Sequence, residues 1–324
     1  MTTPTSLPSR LLRAGLLSLG LAAGPAAWAA GETVTLVTPL AAGSASDVAL
    51  RIVTEKLATA LAQPIVIENQ TGASGAIGAE KVARAVPDGT TLCGCNNAIL
   101  GVLPHLRKVS FDPATSFKPV GMVAVLPTAL VVHPSLPVNN VQELVAYVKA
   151  NPGKVSYATG GVGSAQHIAM SMLVAATGMN MLHVPYKGAS PAAVGVAGGE
   201  VHVMFNAIGT VLPFIKSGKL KAIAVAGAQR TPVMADTPTV AEQGVPGYDY
   251  ASWIGIVAPA ATPDEVVNRL AGELTKVLRS PEVVKRLADN GIDPSVMGPA
   301  QMRQYMAQDH ARMAKVVADA GMKE

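Results

Sequence analysis

Cysteine is almost missing: Cys93 and Cys95 are the two in 324 residues. Two thiols with no His or Cys beside them make half of a metal site, and a bridge between residues two apart is expected to be strained. The pair reads instead as two small residues on one face of a strand. Such sparse cysteine suits a core large enough to need no covalent staples, even in an oxidising compartment. Aromatics are few, at 4%, and Lys and Arg are scattered singly without runs. Both observations argue against nucleic acid as a partner. HExxH, GxSxG, a Ser-Lys motif and Gly-Lys-Ser/Thr do not occur, so zinc-peptidase, serine-hydrolase and P-loop chemistry lack their usual marks. Gly72-x-x-Gly75-x-x-Gly78 departs from the dinucleotide-binding spacing. No metal, cofactor or catalytic residue is expected.

What is present begins with an export signal over residues 1–29. Arg10 and Arg13 form a positive start, residues 11–23 a short apolar stretch, Gly24-Pro25 a break and Ala27-Trp28-Ala29 a small-x-small cleavage site. The uncharged stretch 14–30 is short and interrupted for a membrane span. The arginines are not adjacent and no Cys lies near the cleavage site, which argues against twin-arginine export and lipid anchoring. The mature chain is then periplasmic and mildly basic, which suits an anionic small molecule. It is long enough for one large core or two ordinary ones.

Strand and helix patterns alternate from the start: strand 34–38, helix 46–61 capped by Ser46 or Asp47, strand 65–68, a Gly-rich turn 72–78, helix 79–85 and strand 90–94. That order predicts a parallel sheet covered on both faces. Apolar segments 120–126 and 129–132 follow, then a capping box at Asn140 that opens a helix. The rhythm restarts with strands 154–158, 182–185, 201–205 and 220–226 around helix 164–177. Near the end Thr262-Pro263-Asp264-Glu265 reads as a hydroxyl-capped helix start. Helices 281–290 and 299–320 complete the chain, with no strand among these last three, and the group returns to the first domain across 252–258. The expected fold is α/β in two domains, residues 30–130 plus 252–324 and residues 131–251.

Two loops of small residues each join a strand to a helix. The first is Pro39-Leu40-Ala41-Ala42-Gly43-Ser44-Ala45-Ser46-Asp47; the second runs from Tyr157 through Thr159, Gly160, Gly163 and Ser164 to His167. Small residues admit a ligand to the backbone, and the following helix points free N–H groups at it. A carboxylate there gains about 0.3–2 kcal/mol from the helix dipole, and each charge-assisted bond about 1.5–3 kcal/mol. A few such bonds, less association costs, reach micromolar affinity at about −8 kcal/mol. Neither loop contains Arg or Lys. Ser44, Ser46, Thr159 and Ser164 offer hydroxyls that either bind the same carboxylate or only cap helices. Asp47 reads as a helix cap. Of six histidines, His133 and His183 read as structural, His202 as turned away from the face its neighbours bury and His310 as solvated. His167 alone stands near a plausible site, as a ligand contact or as packing within its turn.

An ordered series of further motifs is more specific. It comprises Pro39, Gly43 and Asp47; Glu68-Asn69 with Gly72-Ala73-x-Gly75-x-x-Gly78-Ala79; Pro87-Asp88-Gly89-x-Thr91-Leu92; and Asn151-Pro152-Gly153-Lys154. Gly163-Ser164-x-x-His167, His183-Val184-Pro185-Tyr186-Lys187-Gly188, Gly218-Lys219-Leu220, Pro238-Thr239-Val240-Ala241-Glu242 and Trp253-x-Gly255 with Ala258-Pro259 follow. The chain thereby resembles the substrate-binding proteins of tripartite tricarboxylate transporters, the Bug receptor family. The resemblance implies a periplasmic binding protein of the Venus flytrap type, each domain a mostly parallel sheet flanked by helices. It would hinge near 126–131 and 250–256, close on a small organic carboxylate and deliver it to integral membrane permease subunits. A monomer is expected. The resemblance further places Asn96, Asn97, Tyr186 and Asn206 at the cleft, beside Leu40, Ala42, Gly43, Ser44, Ser46, Asp47, Thr159, Gly160, Gly163, Ser164 and His167. Three positions depart from the family pattern: Leu40 replaces an aromatic, Asn206 and His202 each replace an Asp. The first two enlarge the cleft and remove a negative charge, so the ligand is expected to be bulkier or to lack an ammonium group. Two other readings stay open: a secreted α/β enzyme in which His167, Ser164 and Asp47 meet, and a receptor that serves a sensor.

Overall fold

The computed structural model describes residue 1 and residues 31–322. The expected export signal therefore lies outside the described residues, Met1 excepted. The chain runs β1 (Val34–Thr38), α1 (Ala45–Leu61), β2 (Ile65–Asn69), α2 (Ala76–Ala83), β3 (Thr91–Asn96), α3 (Leu103–Leu106) and β4 (Phe117–Leu126). Then come β5 (Thr128–Val132), α4 (Val141–Ala150), β6 (Ser156–Thr159), α5 (Ala165–Thr177), β7 (Leu182–Pro185), α6 (Ala189–Ala197), β8 (Val203–Ala207), α7 (Ile208–Lys216) and β9 (Lys221–Val225). The end is β10 (Ser252–Pro259), α8 (Asp264–Leu278), α9 (Pro281–Asp289), β11 (Asp293–Met297) and α10 (Pro299–Asp319). No helix among the described residues is long and apolar enough to cross a membrane.

Two sheets form. The first has the order β11-β4-β10-β3-β1-β2, the second β7-β6-β8-β5-β9. β1 pairs in parallel with β2 and β3, as the opening alternation predicts. β6 likewise pairs in parallel with β7 and β8, while β5 and β10 run antiparallel to their neighbours. Alternate residues of β1 explain why its sheet is covered twice. Val34 and Leu36 pack with Leu50, Val53 and Leu57 of α1, whereas Val37 packs with Ala79 and Val82 of α2 on the other face. Each such buried aliphatic side chain contributes about 1.5–3 kcal/mol.

The chain passes between the sheets at Pro127, between β4 and β5, and at Ala251, just before β10. The flanking side chains belong to different cores: Leu126 packs in the first, Leu130 and Tyr250 in the second. α10 forms another connection. Its Met302 and Met306 pack with Trp253 and Met122, while its Met313 and Val317 pack with Met170 and Leu173 of the other lobe.

Several expectations need correction. Helix α2 starts at Ala76, because residues 73–75 already wind as a 3₁₀ turn. A strand does accompany the C-terminal helices: β11 lies antiparallel on β4, an edge position that tolerates its Pro294. Thr262 does not cap α8; Pro263 occupies the cap, and the Thr262 hydroxyl is buried without a hydrogen-bond partner. His310 is half-buried, because α10 presses its ring against His105 at 4.2 Å. Finally, Cys93 and Cys95 share a strand face as expected but form a disulfide. Their Cα atoms stand 5.6 Å apart, inside the span a disulfide bridges.

Candidate functional site

The parallel strands of both sheets point their carboxyl ends at one crevice, the usual ligand position in open α/β sheets. The loops after β1, β2 and β3 meet those after β6, β7 and β8 around a cavity of about 490 Å³.

The first loop is built around Asp47. Ser44 caps α1, its Oγ accepting the Asp47 N–H at 3.3 Å. Ser44 takes this role, two residues before Ser46 and three before Asp47, directly after Gly43 turns the chain at φ +72°. The buried Asp47 carboxylate reaches back to accept the Gly43 N–H at 3.0 Å. It also accepts Arg51 Nε at 2.9 Å and Asn69 Nδ2 at 2.9 Å. Burial opposes its ionisation, yet the bonds from Arg51, Asn69 and Gly43 hold its pKa below the ordinary value.

The second loop repeats the plan with a different side chain. Ser164 caps α5 and accepts the His167 N–H at 3.3 Å. His167 Nδ1 then accepts the Gly163 N–H at 3.1 Å. A backbone N–H can only donate, so the neutral ring carries its proton on Nε2. The ring stacks on His183 at 4.4 Å, and His183 stacks on Tyr157 at 4.9 Å. Burial, with His183 nearby, lowers the His167 pKa to about 4.

Of the residues singled out in the sequence, Leu40, Ser44, Ser46, Asn96, Gly160, Ser164, Tyr186 and Asn206 line the cavity. Ala42, Gly43, Asp47, Asn97, Thr159, Gly163 and His167 do not. Asp47 and His167 stand behind their loops as supports. Thr159 Oγ1 meets His183 Nε2 at 2.7 Å, and Asn97 Oδ1 accepts Ser252 Oγ at 2.8 Å beside the crossing strand. Ala42 sits at the rim, where its carbonyl accepts Ser190 Oγ at 3.3 Å. His167, Ser164 and Asp47 thus do not assemble as a catalytic group. His202 accepts the Ser156 N–H and immediately precedes β8, beside the start of β6 at the end away from the cleft.

Sequence reasoning missed a third loop, Thr71 to Gly75, along with Thr128, Gln166, Lys187, Gly188, Thr210 and Ser252. The glycines at 72 and 75 were the available signal. Asn206 Nδ2 donates to the Ala189 carbonyl at 3.1 Å, and its Oδ1 accepts Gln166 Nε2 at 3.2 Å. Its amide is therefore committed to the protein. Tyr186 lines the wall by its ring, while its hydroxyl donates to Glu200 at 3.0 Å. Lys187 is the one charged side chain on the described wall, which contains no Asp or Glu. Apolar surface comes from Pro39, Leu40, Ile99 and Leu126. No cluster of three or more His, Cys, Asp or Glu suited to a metal occurs among the described residues. The wall can hold an anion by amides and hydroxyls around an apolar middle; it offers no nucleophile with an adjoining base.

Comparison with known proteins gives the same picture. A family model described as "Tripartite tricarboxylate transporter family receptor" matches residues 49–322. The structure of R. palustris Rpa4515 with adipate superposes with a TM-score of 0.87 at 34% identity, covering 90% of this chain and 98% of that one. The periplasmic binding protein BugD gives 0.85 at 35% identity, with 90% and 98% covered. MatC from Rhodopseudomonas palustris with bound malate gives 0.84 at 32% identity, with 88% and 99% covered.

Proposed function

Because the chain belongs to the tripartite tricarboxylate transporter receptor family, a family of periplasmic solute-binding proteins rather than enzymes, we propose that it captures a small organic carboxylate between its two lobes. The lobes are residues 31–127 plus 252–322 and residues 128–251, so the expected first boundary at 130 moves to Pro127, and the hinges lie near 126–131 and 250–256. The carboxylate lies against the first turns of α1 and α5, held by their amides and by the Ser44, Ser46 and Ser164 hydroxyls. Gly43, Gly163, Asp47 and His167 shape those turns from behind. The protein is exported by a signal cleaved after Ala29 and hands its cargo to membrane permease subunits of a tripartite transporter.

One observation carries this reading: a cleft of about 490 Å³ ringed by helix N-termini with no acidic side chain on its described wall. An ammonium group would find no carboxylate partner there, and Asn206 is already bonded to Gln166 and Ala189. The ligand is therefore an acid without an amino group, with room for an apolar body against Leu40 and Ile99. The proteins solved with adipate and malate carry such acids. Isothermal titration with adipate, malate and glutamate tests this. The dicarboxylates are expected to bind at about micromolar Kd, near −8 kcal/mol, and glutamate at least tenfold more weakly. Tight glutamate binding would overturn the proposed ligand class.

A further inference from the structure

Two adjacent non-glycine residues of the loop between β2 and α2, Ala73 and Ser74, have φ of +47° and +54°. L-residues disfavour this left-handed region, and such a conformation persists only where the surroundings hold it. Two bonds hold it here. The Gly75 N–H donates to the Gly72 carbonyl at 2.9 Å and closes the turn. The Ser74 hydroxyl donates to the carbonyl of Val162 at 2.7 Å. Val162 lies in the second loop, on the opposite lobe. Ser74 also lines the cavity beside Gly161, where an added Cβ would come within 3.8 Å of the Ser74 Oγ. The left-handed turn thus aims one hydroxyl across the mouth of the cleft. Away from the two chain crossings, two further side-chain bonds between the lobes are seen among the described residues. Ser190 Oγ donates to Ala42 at a longer 3.3 Å, and the Ala45 N–H donates to Thr210 Oγ1 at 3.0 Å in a buried position. Ser74 provides the short one at the exposed rim.

We propose that Ser74 is the latch of the closed cleft: it bonds Val162 only when the lobes meet, and so slows ligand escape. This inference rests on the capture reading above. Opening breaks the bond and frees Ala73 and Ser74 to leave the left-handed region. The loop is then a third jaw, selecting for acids that fit beneath a closed rim.

The test is stopped-flow binding of adipate and malate to the full mature chain, with small-angle scattering of the ligand-free protein. S74A keeps the loop length and removes the bond. Its dissociation rate is expected to rise about two- to tenfold, the equivalent of one neutral hydrogen bond, with a larger ligand-free radius of gyration. S74N restores slow dissociation, because Asn tolerates the left-handed region and its amide can donate to Val162. An S74A protein with wild-type dissociation rate and radius overturns the latch, as does a change confined to association. If the wild type binds neither acid, the proposed ligand class fails. The latch is then decided by scattering alone, and equal radii reject it.

Discussion

The two turns that meet at the cleft are the same device built with opposite materials. Gly43-Ser44-Ala45-Ser46-Asp47 and Gly163-Ser164-Ala165-Gln166-His167 share a left-handed glycine, a serine cap and a fifth residue that accepts the glycine N–H. In the first turn that acceptor is an ionised carboxylate with a guanidinium beside it. In the second it is a neutral imidazole in a stack of rings. The backbone requires an acceptor at that point and is indifferent to its charge. Neither turn adds much net charge to the cleft, since Arg51 offsets Asp47 and His167 stays neutral. At these two turns the cleft therefore offers amide dipoles, and Lys187 is the one cation on its described wall. The two turns differ in their response to acid, and that difference can be measured.

The largest effect expected is that of pH. The folded His167 pKa of about 4 lies below its ordinary 6.5, so the unfolded chain binds more protons between those values. Stability from this group is complete above about pH 6.5 and falls as pH drops toward 4, by up to about 3 kcal/mol. Urea unfolding across pH 4–7 measures the slope, and His167→Asn, which keeps an acceptor for Gly163, should flatten it. Asp47, its pKa lowered from 3.8, gives stability that persists above the ordinary carboxylate range and is lost as pH falls through its folded value. The second turn should thus weaken at a higher pH than the first. Next in size is Asp47→Ala, which strands the Gly43 N–H, Asn69 and Arg51 together. It should cost about 2 kcal/mol of unfolding free energy and weaken adipate binding more than tenfold by titration, while His167→Asn leaves binding nearly intact. Smallest are Ser44→Ala and Ser164→Ala, each expected to cost about 1 kcal/mol by loss of a helix cap. Closely matched losses in denaturant midpoint would confirm that the turns share one design, and a large disparity would break the comparison.

Both turns were legible in the sequence because their signal is local: small residues, a hydroxyl, then a helical apolar pattern. The parallel, doubly covered sheet around β1 was legible for the same reason, with β-α alternation and strands of unbroken aliphatics, whereas its strand order was not. What escaped depends on contacts distant in sequence. β11 looks unlike a strand because of Pro294 and forms only by lying on β4. The Thr71–Gly75 loop joins the cleft only because folding sets it opposite Val162, a residue 88 positions away in the case of Ser74. The supporting rather than ligand-facing placement of Asp47 and His167 follows from which way the helix turns after each glycine, a matter of φ values that composition does not reveal. The disulfide escaped because its feasibility depends on the 5.6 Å Cα spacing that β3 adopts.

The C-terminal helix α10 has a mechanical consequence. One half is seated in the core around Trp253 and the other in the core around Met170, with Asp309 between them bonded to Trp253 Nε1 at 3.0 Å and to Arg312 at 2.8 Å. Any swing about Pro127 and Ala251 must drag this rod against one of its sockets. Methionines make up much of that contact, and their unbranched, pliable side chains can slide without leaving voids. A swing of the lobes would then be accommodated at the rear of the molecule by sliding of methionine side chains.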